Sequence, residues 1–483
     1  MPLCSVSFAA YEYQADGSFK EASYRYEGSE HDGWRITREG EPYLELPPGY
    51  RLLRSLRCGI CATDLARSHL AFPLPQIIGH EVIAQDECGT EVAVEINASH
   101  ASIGSPLARA CRMCSAGLAR HCPDRMVLGI DRLPGGFAPW VLAPRGNIVE
   151  VPRDIPSEAA VLIEPFAAAV RAAERIRRAG ADRVAVVGLG RLGLLLVAAL
   201  AVIRRSRGLS FSIRAIGRRE DRLFLAQDLG ADEACTWTSG GFDGGALPPS
   251  ADIVVEATGN PQGLERALPL ASREVHVKST TGRETLGLRH LTELVVDEIS
   301  LESFCADRLE PAGREREVPP RALIVGRSRA REHTALLEAS GYEVLEVGRA
   351  EDLGLPSWRD RLLGEGGQAR VVVVGAQEEI DRVVRPWPGV QQGAVQPEGS
   401  IALVPGAGPR TALTRAILEK RLLLSTSRCG DFRIALPLMA KALEAGIDLG
   451  RMVTDVFSAR DLPAAFARAG SPGSLKVVVV HPR

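Results

Sequence analysis

The sequence predicts an α/β protein: a partly open β-barrel, then a doubly wound parallel sheet, then a second, diverged copy of that sheet unit. Three observations carry this. Residues 1 to about 165 hold brief apolar segments, such as 49–56, 91–96 and 136–142, punctuated by Gly and Pro, as the short strands of a barrel are. From about 166 helical and buried-strand patterns alternate, with strands expected at 183–188, 211–217, 252–256 and 274–279, the texture of a parallel sheet covered by helices. From 318 to 427 that second texture returns.

The barrel segment begins with 11–45, rich in Tyr and charge, which reads as an edge hairpin. In the returning segment, 321–326 reads as strand and turn, and 335–341 as a helix ending in glycine. Residues 342–349 mirror 211–218, 369–374 mirror 251–256, and 417–424 can be matched to 294–301. These matches argue for an internal repeat; an unrelated α/β insertion is the competing reading. The stretch 306–319, rich in Arg, Glu and Pro, suits an exposed linker.

Composition bounds the function. The chain has 483 residues, 45% hydrophobic and 24% charged, with a net charge of −2, which suits a soluble globular enzyme of about three domains. Nothing in that balance points to nucleic acid or an anionic membrane. There is no 18-residue apolar run and no basic-then-apolar leader, so a cytoplasmic protein is expected. Its ten cysteines are then expected to be thiols and metal ligands rather than disulfides.

The densest chemistry is Cys61-Ala62-Thr63-Asp64 followed by Gly79-His80-Glu81. A thiolate, an imidazole and a carboxylate this close suit Zn²⁺, and the Thr63 hydroxyl can relay a proton from an alcohol. A zinc ion there would polarise the hydroxyl oxygen and lower its pKa.

Further on, Gly188-Leu189-Gly190-Arg191-Leu192-Gly193 follows a Val-rich strand and precedes the apolar run 194–197. Glycines in that place allow a tight turn and close approach of a pyrophosphate to a helix N-terminus. An NAD enzyme usually carries an acidic residue about 25 positions on; this chain has Gly217-Arg218-Arg219. Two guanidiniums favour a 2′-phosphate, so NADP is expected over NAD, although Glu220 and Asp221 could neutralise them. The corresponding turn of the second unit, 326–331, has one glycine among arginines, and no dinucleotide is expected there.

These elements resemble the zinc-dependent medium-chain dehydrogenase/reductase superfamily, on the order and spacing of Cys58-Gly59-Ile60-Cys61-Ala62-Thr63-Asp64, Gly79-His80-Glu81, the cysteines at 111–122, Gly135-Gly136-Phe137-Ala138, Glu164-Pro165 and the glycine turn at 188–193. The resemblance covers about 50–305 and 428–483 and leaves 318–427 extra. It implies a GroES-like catalytic domain over 1–165 completed by 428–483, a Rossmann domain over 166–305, and a degenerate Rossmann-like repeat over 318–427. It also implies that Cys61, not Cys58, binds the catalytic zinc with His80, and that Glu81 or Glu164 completes the site. Thr63, Cys61 and His80 would be the catalytic residues. Ala66 stands where many relatives carry a histidine, so the proton would leave by ribose, water or His69.

Relatives also hold a second zinc in a four-cysteine lobe. Here Cys111, Cys114 and Cys122 remain and Ala108 stands at the first position, an incomplete site. Gly188, Gly190, Arg191, Leu192, Gly193, Arg218, Arg219 and Thr258 would contact the cofactor. The activity implied is hydride transfer between an alcohol, polyol or carbonyl substrate and NADP, with NAD as the alternative. A non-catalytic dinucleotide sensor of the same descent is the rival. In relatives the last Rossmann strands of two subunits pair edge to edge. Here strands near 298–301 and 421–426 could pair within one chain as a pseudo-dimer; a homo-oligomer is the alternative.

Overall fold

The computed structural model describes residues 4–482 except 179, 239–240, 243–250, 281, 307–308, 310–318, 327–329, 365–366, 389–391 and 406–410. The chain divides into two compact units, Met1–Val170 with Cys429–Arg483, and Arg171–Arg428. The first boundary falls inside the helix Ile163–Arg178, a few residues past the expected break. Residues on both sides of the expected linker share one unit, because their strands share one sheet.

The first unit opens with four antiparallel strands in chain order, β1 Cys4–Tyr13, β2 Phe19–Ser29, β3 Gly33–Arg38 and β4 Glu41–Leu46. This replaces the expected edge hairpin. Period-two patterning builds it: Ala22, Tyr24 and Tyr26 of β2 are buried while Glu21, Arg25 and Glu27 face solvent. Gly28 is needed at its crossing with β3, since a Cβ there would lie 2.1 Å from the Gly33 carbonyl oxygen.

The barrel follows with β5 Tyr50–Ile60, β6 Glu81–Gln85, β7 Glu91–Val94, β8 Asn97–Ala98, β9 Met126–Leu128, β10 Arg132–Leu133, β11 Trp140–Pro144 and β12 Ile148–Glu150. Strand β5 is its hub, antiparallel to both β6 and β11.

The second unit is a single twelve-stranded sheet. Its first half holds β13 Arg183–Val187, β14 Ser212–Gly217, β15 Glu233–Thr238, β16 Gly241–Phe242, β17 Ala251–Glu256 and β18 Ala271–Val277. The chain then adds β19 Ser300–Ser303, β20 Arg321–Val325, β21 Glu343–Val347, β22 Ala369–Val374, β23 Val395–Leu403 and β24 Leu423–Thr426. The spatial order is β16-β15-β14-β13-β17-β18-β24-β19-β23-β22-β20-β21. The four strands expected at 183–188, 211–217, 252–256 and 274–279 are present within a few residues, and the strands near 298–301 and 421–426 lie in one continuous sheet. Strand β24 is parallel to β18, β19 is parallel to β23, and β19 and β24 meet antiparallel at Leu301 and Leu424. Strands β17 and β22 carry continuous runs of buried apolar residues, Ile253 to Val255 and Val371 to Val374, as strands covered on both faces do.

The tail returns to the first unit as β25 Val453–Ser458 and β26 Lys476–Val480. Strand β26 pairs antiparallel with β5, so that Val477 faces Ile60. The barrel sheet then reads β12-β7-β6-β5-β26-β25, with β11 on β5.

Candidate metal centres and cofactor site

Cys61 leaves the end of β5 and caps the short helix Ala62–Leu65. Its Sγ accepts from the Thr63 N–H at 3.1 Å, and the Asp64 carboxylate accepts from the Cys61 N–H at 2.9 Å. This reciprocal cap fixes the thiol in space. His80 precedes β6, and its Nε2 lies 3.0 Å from Cys61 Sγ. On its other side His80 Nδ1 faces Asp64 Oδ1 at 3.4 Å, and both of these buried atoms lack a hydrogen bond of good geometry.

The electrostatics are those of a coupled buried trio. Burial pushes the Cys61 thiol up, against the pull of His80. Burial works against the His80 imidazolium, but Cys61 and Asp64 raise its pKa well above the ordinary value. Burial also works against the Asp64 carboxylate, yet His80 and the Cys61 N–H hold it below its usual range.

Cys61, Asp64 and His80 place one donor atom each within 4.8 Å of one another. The donor set fits zinc: a soft thiolate and an imidazole whose far nitrogen is turned to a carboxylate. A tetrahedral zinc would hold sulfur and nitrogen about 3.6 Å apart, so the pair must open slightly to admit it.

Glu81 does not join. Lys476 of β26 donates to its Oε1 at 2.7 Å and its Oε2 at 2.5 Å, and both side chains are 1% exposed. The expectation that Glu81 is a ligand is corrected here: a buried carboxylate with a buried ammonium has its charge already matched. Glu164 also stands apart from this cluster. Half-buried in the first turn of Ile163–Arg178, it lines a cavity of about 340 Å³ with Glu95, Asn97, Asn147 and Asp431. Burial in that wall raises the Glu95 carboxyl. His69 is exposed.

The cysteine lobe is more complete than the sequence indicated. Cys111, Cys114 and Cys122 converge with His100, all four donor atoms lying within 4.8 Å of one another. Cys122 Sγ is 3.9 Å from Cys111 Sγ and 3.6 Å from His100 Nδ1. These match the edge of a zinc tetrahedron, about 3.8 Å between sulfurs. His100 Nε2 faces Asp124 at 3.6 Å, again a carboxylate behind an imidazole. The Cys111 thiol is brought down to about 7: burial opposes this, and the Cys114 N–H together with His100 outweighs it. The fourth donor comes not from position 108 but from just after β8, eleven residues before Cys111. The one local signal was an imidazole where the chain leaves the barrel.

In the second unit the glycine turn has the expected form. Gly188, at φ 97°, ends β13, and a Cβ there would meet Thr258 at 2.8 Å. A Cβ on Gly193 would lie 1.9 Å from the Gly188 carbonyl oxygen, whereas Gly190 faces open space. Gly190 caps the helix Arg191–Ser206 with no side chain on its first N–H groups, so these donors remain for an anion. Arg191 and Leu192 form the first turn, half-buried. The Thr258 N–H and hydroxyl both donate to Glu256 Oε1, at 2.7 and 2.5 Å, and the Gly259 N–H donates to Ser279.

Arg218 and Arg219 are exposed after β14. Asp221 engages Arg219 through two hydrogen bonds of 2.9 and 2.8 Å, the neutralisation that the sequence left open. Arg222, which the sequence reading did not single out, is 7% exposed. Its pKa is lowered by burial first and then by Arg219 and Arg191, which therefore lie within electrostatic reach. Of the second unit's corresponding turn, residues 327–329 lie outside the described residues.

Residues 47–153 match the model of the alcohol dehydrogenase GroES-like domain. The chain is 32% identical over 202 residues to the L-threonine 3-dehydrogenase of Rhizobium rhizogenes, covering 40% of this chain and 56% of the relative. It is 32% identical over 238 residues to the L-threonine 3-dehydrogenase of Streptomyces avermitilis, covering 46% of this chain and 67% of the relative. The chain thus spans little more than half the length of the first of these relatives. Among solved structures, L-idonate 5-dehydrogenase of Escherichia coli superposes with a TM-score of 0.55 at 15% identity, covering 99% of this chain and 100% of the other. Galactitol-1-phosphate dehydrogenase of Escherichia coli superposes with a TM-score of 0.52 at 16% identity, covering 98% of this chain and 100% of the other. Likeness at that identity is a likeness of fold.

Proposed function

This chain belongs to the zinc-dependent medium-chain dehydrogenase/reductase superfamily, and we propose that it transfers hydride between an alcohol or polyol and NADP, with NAD as the weaker cofactor. The observation that carries the proposal is the Cys61–His80–Asp64 arrangement: a thiol and an imidazole nitrogen face each other, and a buried carboxylate stands behind the imidazole.

Zinc, when bound, supplies a Lewis acid for an alcohol oxygen, and the nicotinamide supplies the hydride acceptor. Cys61 and His80 are two of its ligands. Asp64, 3.4 Å from His80 Nδ1, would favour a proton on that nitrogen and leave the Nε2 lone pair for a metal. Catalytic zinc sites use three protein ligands. With Glu81 held by Lys476, the third is assigned to Glu164 on the resemblance to the superfamily alone, since Glu164 stands outside the cluster in this structure. Thr63, anchored through its N–H to the Cys61 sulfur, is assigned as the first proton acceptor. Ala66 stands three residues on and His69 is exposed, so the proton held by Thr63 would leave to water, or to a ribose hydroxyl if the cofactor places one there.

In the cofactor unit the open N–H groups behind Gly190 suit a pyrophosphate, and Arg218, Arg219 and Arg222 suit a 2′-phosphate. His100, Cys111, Cys114 and Cys122 are proposed to hold a second, structural zinc, because four protein donors close a tetrahedron. The relatives named above act on hydroxyl-bearing compounds, which supports an alcohol or polyol substrate.

The experiment is NADP-linked turnover over sugars, polyols, amino alcohols and aromatic alcohols, run with zinc analysis on the native chain and on Cys61→Ser. The proposal expects turnover on at least one class and loss of zinc and turnover together in the variant. Full activity in a zinc-depleted Cys61→Ser protein would refute it.

A further inference from the structure

The twelve-stranded sheet is joined in an unusual order. After β18 the chain passes through the helix Leu291–Val296 into β19, which lies beside β23, in the other half. After β23 it passes through the helix Ala412–Glu419 into β24, which lies beside β18. Each half therefore closes with a strand that the chain supplies from the other half.

The two helix–strand segments are equivalent in detail. Glu298 and Arg421 both take positive φ, 55° and 52°, two residues before their strands. Leu301 and Leu424 then stand at the same position of each segment, and they are the pair that meets antiparallel. A local two-fold relation runs through that pair.

The choice of partner is written in buried polar groups. Glu274 and His276 of β18, with Lys278 just beyond it, present three polar side chains on one face, at alternating positions. Ser425 and Ser427, at the end of β24, answer them. Lys278 Nζ donates to the Ser427 hydroxyl at 3.3 Å and to the Ser427 and Arg428 carbonyls at 2.7 and 3.0 Å. Ser427 Oγ lies 2.8 Å from His276 Nε2, Ser425 Oγ lies 2.7 Å from His276 Nδ1, and Ser425 donates to Glu274.

Proton bookkeeping closes in one direction. Lysine donates to Ser427, Ser427 to Nε2, Nδ1–H to Ser425, and Ser425 to the carboxylate, so neutral His276 carries its proton on Nδ1. All five side chains are buried, where an unmatched polar group is costly.

By the same positional equivalence β19 would offer Glu302 in place of Ser425 and Phe304 in place of Ser427. Beside β18 it would set a second carboxylate between Glu274 and His276, and a ring beside His276 and Lys278, leaving the ladder unmet. We propose that residues 171–428 are an internal dimer of two sheet halves that exchange their last strands within one chain, and that the Glu274–Ser425–His276–Ser427–Lys278 ladder selects β24 over β19 as the neighbour of β18. The ladder acts as a pairing code, the role best attested for buried polar groups elsewhere.

Disulfide trapping in the full-length chain tests this. Val275 and Leu424 are register neighbours, within the reach of a disulfide in a sheet. Val275→Cys with Leu424→Cys should close an intrachain bond on mild oxidation, located by peptide mass spectrometry, while Val275→Cys with Leu301→Cys should not. A bond only between chains, or preferential closure of the second pair, would overturn the exchange. For the code, Ser425→Ala with Ser427→Ala should lower the yield of the Val275–Leu424 bond relative to the Val275–Leu301 bond about tenfold. Should that variant not fold, His276→Gln, which keeps a polar group against the serines, gives the intermediate ratio. An unchanged ratio in a folded variant would remove the code.

Discussion

Lys476 and Glu81 are 395 positions apart in the sequence, and in the fold the Lys476 ammonium grips both oxygens of the Glu81 carboxylate with neither exposed by more than 1%. The tail strand β26 thus places a positive charge directly behind the segment that carries His80. The pair keeps Glu81 out of the metal cluster and ties the last strand to the hub of the barrel.

Removing one partner should be far worse than removing both. Lys476→Met strands a buried carboxylate and is expected to cost about 3–5 kcal/mol. Lys476→Met with Glu81→Leu should recover most of that. Urea unfolding monitored by circular dichroism checks both, and a single variant as stable as the double would contradict the account.

The native chain should hold about two equivalents of zinc, one in each cluster. His100→Ala should lose one equivalent and lower the melting temperature while Cys61 stays loaded. Glu164→Gln should weaken the catalytic ion and leave the lobe ion alone. Asp64→Asn should weaken that ion about 10–100-fold, the usual loss when the carboxylate behind an imidazole is removed. Metal analysis after graded chelation separates these, and a His100→Ala protein with both ions would remove His100 from the site.

Arg222 sharpens the cofactor prediction. Asp221 grips Arg219 with hydrogen bonds as short as 2.8 Å and meets Arg222 more loosely, at 3.4 Å, so Arg222 and the exposed Arg218 are expected to carry more of the 2′-phosphate contact than Arg219. Arg222→Ala should weaken NADP binding about tenfold or more, the worth of one charge-assisted contact, and leave NAD within about twofold. Equal weakening of both cofactors in a fluorescence titration would mean that Arg222 only packs.

Acid should loosen the first unit through His481. Its Nε2 lies 3.0 Å from the Gly136 carbonyl oxygen, and burial lowers its pKa to about 4, against an unfolded value of about 6.5. Between those values the unfolded chain binds the extra proton, so stability falls as pH drops from about 6.5 toward 4, by up to about 3 kcal/mol. His481→Gln should flatten that part of the profile in urea titrations from pH 7 to 4. An unchanged slope would assign the acid sensitivity to other groups.

Much of this was legible locally. The Cys61–Asp64 and Gly79–Glu81 spacing brought a thiol, a carboxylate and an imidazole together because the short helix cap and the start of β6 are local structures. The turn at 188–193 could be read because its geometry is set nearby: Gly188 takes a positive φ, and a Cβ on Gly193 would strike the Gly188 carbonyl oxygen. The offset that matches 417–424 to 294–301 sets Leu424 against Leu301, and those two residues meet as strand partners.

What the sequence by itself determined, then, was the kind of each element and the chemistry of each motif, because helix caps, turn glycines and hydrophobic period depend on neighbours in the chain. Tertiary structure alone decided which distant side chains complete those motifs. It turned Glu81 to Lys476 rather than to the metal cluster, brought His100 to three cysteines across an eleven-residue gap, and buried Arg222 beside Arg219. It also chose β24 over β19 as the neighbour of β18, because strand pairing is a long-range choice settled by buried polar groups that a local pattern does not encode.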